Sequence, residues 1–87
     1  STEKTQHAAE DALRDALMLR NLLNEPNEKL ARIITTMQSW QFTEKIDGDG
    51  AQELAKEVEE LQQEHEVRGI DVEDYASNLK VILLQLA

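Results

Sequence analysis

Apolar residues recur every three to four positions in four blocks of this sequence. The polar breaks between the blocks hold its one proline and all three glycines. A period near 3.6 gathers such residues on one side of a helix, whereas a half-buried strand would alternate with a period of two. The second block is the cleanest case, with Leu30, Ile33, Ile34, Met37 and Trp40 on one face. A helix is therefore expected over residues 28–42. Asn24-Glu25-Pro26-Asn27 precedes it: the residue before a proline avoids the α region, and Asn27 is a competent N-cap.

The first helix is expected over residues 3–24, with Thr2 or Thr5 as its N-cap. Its apolar face is wide, running from Ala9, Ala12, Leu13 and Ala16 to Leu17, Leu19, Leu22 and Leu23. The alanines of its first half let a partner helix come close. Asp47-Gly48-Asp49-Gly50 reads as a turn, with Ile46 anchoring the loop to the core. A third helix follows over residues 51–67, its seam formed by Leu54, Val58, Leu61 and His65, and Gly69 is expected as its C-terminal cap. Asp71, with Asp74 three residues on, is expected to cap a fourth helix over residues 72–87. Trp40, Phe42 and Tyr75 are the only aromatic residues, so the core must be aliphatic and alanine-rich, which suits helix-on-helix packing. The expectation is an all-α domain spanning residues 1–87 and folded as a compact four-helix bundle. The alternative is helical hairpins completed by dimerisation.

Several kinds of chemistry find no support. The chain has no cysteine, which rules out disulfides and thiolate sites and fits a cytoplasmic protein. A calcium loop at Asp47–Gly50 fails in both registers. With Gly50 sixth, Lys45 and Lys56 take the first and twelfth ligand positions; with Asp47 first, Gln52 takes the glycine position and Val58 the twelfth. His7 and His65 have no neighbours at metal-ligand spacing, and His65 reads as a partly buried seam residue. Leu19-Arg20-Asn21-Leu22-Leu23 matches a short coactivator leucine motif, but the same leucines are needed for the core. No catalytic, cofactor-binding or metal residue is assigned, and the chain is not expected to be an enzyme. The longest apolar runs, Ala16 to Leu19 and Val81 to Leu84, are far too short to span a membrane. The chain starts at Ser1, which suggests a processed start or a piece of something longer.

Charge is distributed unevenly. The net charge is −9, and residues 44–74 alone carry twelve acidic and three basic side chains. On the third helix Glu53, Glu57, Glu60 and Glu64 fall within an arc of about 60° beside the apolar seam. The like-charged pairs four residues apart within it cost a few tenths of a kcal/mol each, to an order of magnitude of about 0.3 kcal/mol. Three accounts remain open: a solvated face, internal pairing with Lys29 and Arg32 of the second helix, or a docking ridge for a basic partner. A second candidate is Val81 with Leu84, which fall off the apolar face of the last helix.

The functional expectation is a non-enzymatic protein–protein interaction module, a small acidic adaptor, regulator or inhibitor. Glu53, Glu57, Glu60, Glu64, Val81 and Leu84 are its candidate partner-binding residues. The partner is expected to be a protein with a basic surface, or a second copy in a homodimer, with no membrane and no direct nucleic acid. The alternatives are an acidic nucleic-acid mimic that occupies a DNA-binding protein, and a structural domain excised from a larger chain.

Overall fold

Asn27 starts α2 (Glu28–Thr43) as its side chain suggests. Its backbone is extended, and its Oδ1 accepts the Leu30 N–H at 3.0 Å, satisfying one orphan donor of the first turn. The helix ends with Glu44 in the left-handed region, where the N–H groups of Glu44 and Lys45 both turn back to the Trp40 carbonyl. The computed structural model describes residues 2–64 and 69–87. Among these, the other helices are α1 (Thr2–Leu23), α3 (Gly48–Glu64) and α4 (Ile70–Leu86), and no strand is present.

Three helix ends differ from the sequence expectation. Asn24 lies just outside α1, in the left-handed conformation that asparagine tolerates, with its N–H on the Arg20 carbonyl at 3.2 Å. Thr5 lies inside α1 and does not cap it.

The Asp47–Gly50 stretch is not a free turn. α3 already begins at Gly48, and its first helical bond runs from the Ala51 N–H to the Asp47 carbonyl at 2.8 Å. Glycine lowers helix propensity, so by sequence the pair reads as a break. Packing explains one of them: a β-carbon at Gly48 would lie 3.2 Å from the Ala87 carbonyl oxygen, where the end of α4 abuts the start of α3.

α4 begins at Ile70 with Gly69, not Asp71, in the N-cap position, and no side chain caps it. Gly69 adopts φ 114° and ψ 166°, a conformation essentially reserved for glycine, at the start of α4. Asp71 sits in the first turn, where a carboxylate complements the helix dipole. The expected seam position of His65 and the end of the third helix at Val67 lie outside the described residues.

The four helices form a ring: α1 packs on α2, α2 on α3, α3 on α4, and α4 closes against α1. That closure decides between the two expected architectures. The molecule is a four-helix bundle complete in one chain. Its radius of gyration of 12.1 Å equals the value of about 12 Å that compact chains of this length follow. Leu19, Ile33, Met37, Val58, Leu61, Leu79 and Leu83 fill the centre, contributed by all four helices. Ala12 and Ala16 are fully buried on α1 and Ala76 on α4, the two helices that pack most extensively on each other. Ile46 is half-buried against the core and anchors the α2–α3 connection, as expected.

Candidate interaction surface

The acidic residues of α3 are divided between two neighbouring helices. On the α2 side, Arg32 Nε and Nη2 both reach Glu57 Oε1 at 3.0 Å. Lys29 Nζ lies 3.4 Å from Glu60 Oε2 and also binds Glu64 Oε1. On the α4 side, Lys80 binds Glu59 and donates to Gln62 Oε1 at 3.2 Å, while Gln62 Nε2 donates to Ser77 Oγ at 2.9 Å. The hydrogen bond to Glu64, reinforced by attraction to Glu64 and Glu60, raises the Lys29 pKa above its ordinary value despite some desolvation.

Three members of the ridge are thus engaged in internal pairing with Lys29 and Arg32. Glu53 stands apart, 3.7 Å from Lys56 on its own helix. Exposed pairs of this kind contribute only about 0.2–1 kcal/mol each, so their main effect is to align α2 with α3. A partner approaching Glu57, Glu60 or Glu64 would have to compete with them.

The apolar candidates are open. Val81 is 51% exposed and Leu84 is 55% exposed, both on the side of α4 turned away from the core. Val81 borders a shallow cleft of about 360 Å³ between α1 and α4, which is also lined by Asp11, Arg14, Asp15, Asn78 and Gln85.

Three residues that bear on the surface carry weaker sequence signals. Phe42, at the end of α2, is 90% exposed; its position off the Leu30–Trp40 face was the available signal. Met18 is exposed on α1 although it belongs to the apolar run Ala16 to Leu19. Asp15 is only 8% exposed, and burial raises its pKa, partly offset by Arg14 and reinforced by Asp11. Its signal was its spacing, three residues after Ala12 and four before Leu19, both fully buried. Of the leucine motif at residues 19–23, Leu19 and Leu23 are in the core and Leu22 is exposed.

A wider groove of about 680 Å³ runs between the first turns of α1 and the end of α2, past Ala9, Trp40, Glu44 and Ile46. Among the described residues, no group of three His, Cys, Asp or Glu is arranged to hold a metal ion. No helix formed by them is long and apolar enough to cross a membrane. His7 is exposed on α1 beside Glu10, at 3.7 Å. No protein-family model, curated protein or solved structure matches the chain.

Proposed function

We propose that this chain is a non-enzymatic binding module whose contact surface is the outer side of α1 and α4. The observation that carries this reading is the exposure of Val81 and Leu84 on a helix whose inward face is already filled by Leu79 and Leu83. Neither side chain is needed to complete the core. Leaving such side chains in water forgoes the roughly 25 cal/mol per Å² gained on burial, and a protein partner would recover it. In this reading the net charge of −9 attracts a basic partner at long range, while the contact itself is apolar. The lack of cysteine fits work in the cytoplasm.

The nucleic-acid mimic has less to stand on. Glu57, Glu60 and Glu64 are held against Lys29 and Arg32 and are not displayed as a free row of charges.

Affinity capture from host extract, at low and at high salt, tests the reading. The expected result is a partner retained at high salt and lost with the double variant Val81→Ser, Leu84→Ser. Capture that is indifferent to that double variant would overturn it.

A further inference from the structure

The cleft between α1 and α4 is lined by a carboxylate, Asp15, whose charge the fold offsets only in part. Asp15 is more than nine-tenths buried, yet among the described residues no hydrogen bond or ion pair reaches its carboxylate. Arg14, the next residue before it, is paired with Asp11 at 3.2 Å and offsets the Asp15 charge only in part. From α4 the cleft receives Asn78, Val81, Ile82 and Gln85, none of them charged. Asp11, Arg14 and Asp15 together leave it with one net negative charge. A buried, ionised carboxylate is costly unless it is paired, and its raised pKa is the signature of that cost.

The surroundings select the kind of cation. A metal ion would find one free carboxylate and two amides, too few hard oxygen ligands for calcium and no imidazole or thiolate for a softer metal. A long basic side chain fits better, because it presents an apolar stem and a charged head. The stem has Val81 and Ile82 to lie against, both of which line the cleft. A second copy of the chain is disfavoured as the occupant, since it would bring another −9 to the interface.

We propose that the α1–α4 cleft receives an arginine or lysine side chain from a basic amphipathic helix of a partner protein. Asp15 pairs with its head group, and Val81 and Ile82 hold its stem. This assignment rests on the binding-module reading and adds to it the partner's chemistry and the residue that recognises it.

A short synthetic helical peptide of leucine, alanine and glutamine with one central arginine, and its twin with citrulline at that position, test the assignment. Each is titrated into isotope-labelled protein while amide chemical shifts are followed. The arginine peptide is expected to shift the amides of Asp15, Asn78, Val81 and Gln85. The citrulline peptide should bind about tenfold more weakly, the loss expected for one charge-assisted pair. Asp15→Asn should weaken the arginine peptide by about the same tenfold factor and leave the citrulline peptide unchanged.

Equal affinity of the two peptides, no binding by either, or shifts confined to α3 would overturn the proposal. So would self-association of the free protein that covers the cleft, detected by light scattering. Retained capture of the host partner by Asp15→Asn, with loss in the Val81→Ser, Leu84→Ser variant, would remove the cation pocket and leave the binding-module reading standing.

Discussion

Arg32 on α2 and Glu57 on α3 meet end-on: two guanidinium nitrogens, each 3.0 Å away, converge on the single oxygen Oε1. The other oxygen, Oε2, is buried and has no hydrogen-bond partner. A side-on pair would have used both oxygens and been stronger. The contact therefore aligns the two helices at a modest energy. It also changes what mutation of the acidic ridge can reveal. Charge reversal at Glu57 and Glu60 would set like charges against Arg32 and Lys29, so it tests the α2–α3 seam before it tests any partner.

A double-mutant cycle with Arg32→Ala and Glu57→Ala should return a coupling of about 0.5–1 kcal/mol by urea denaturation. The same cycle at Arg14 and Asp11, a more exposed pair within one helix, should return about 0.3 kcal/mol. Comparable couplings at both sites would show that the seam adds nothing beyond an ordinary surface pair.

Asp15→Asn should stabilise the protein at neutral pH. Burial raises the folded-state pKa of Asp15 above its ordinary 3.8. Between 3.8 and that raised value the folded chain binds more protons than the unfolded one, so this group's contribution to stability grows as pH falls. Above the raised value the ionised form carries the full cost. The advantage of Asp15→Asn, followed by thermal unfolding from neutral to acidic pH, should shrink and disappear below pH 3.8.

Glu44→Gly should stabilise the fold by about 0.5–1 kcal/mol, because relief of left-handed strain exceeds the added entropy of the unfolded chain. Glu44 holds φ 56° and ψ 28° at the end of α2, where glycine is the usual residue. A higher midpoint in thermal unfolding is the expected readout.

Ala16→Leu should destabilise by about 1–3 kcal/mol, since the larger side chain would have to push the packed core apart. Ala16 is fully buried, which leaves the added carbons no outlet to solvent. Denaturant titration measures the loss, and an unchanged midpoint would mean that the helix contact is looser than described.

Most of the helical reading survives in detail because it rested on local rules. The Leu30–Trp40 spacing placed α2 to within one residue, and Asn27 caps it with the hydrogen bond its chemistry predicts. The errors fall where a distant element decides. Gly48 and Gly50 look like a break until the end of α4 packs against Gly48 and makes a small residue useful there. The start of α4 is a local exception: Gly69 with its positive φ, and not Asp71, occupies the N-cap position.

The candidate surface divides in the same way. The position of Val81 and Leu84 off the apolar face, and the clustering of Glu57, Glu60 and Glu64 on one side of a helix, follow from a rotation of 100° per residue and need no tertiary information. Four amphipathic helices with a mainly aliphatic core follow from the same periodicity. Which neighbour each face meets does not. Only the packed bundle sets Lys29 and Arg32 against the acidic ridge and places Asp15 in the cleft between α1 and α4, its charge only partly offset. The physical reason is that periodicity specifies the direction of a side chain about its own helix axis. The cost or benefit of a charge depends on what the adjoining helix brings to meet it.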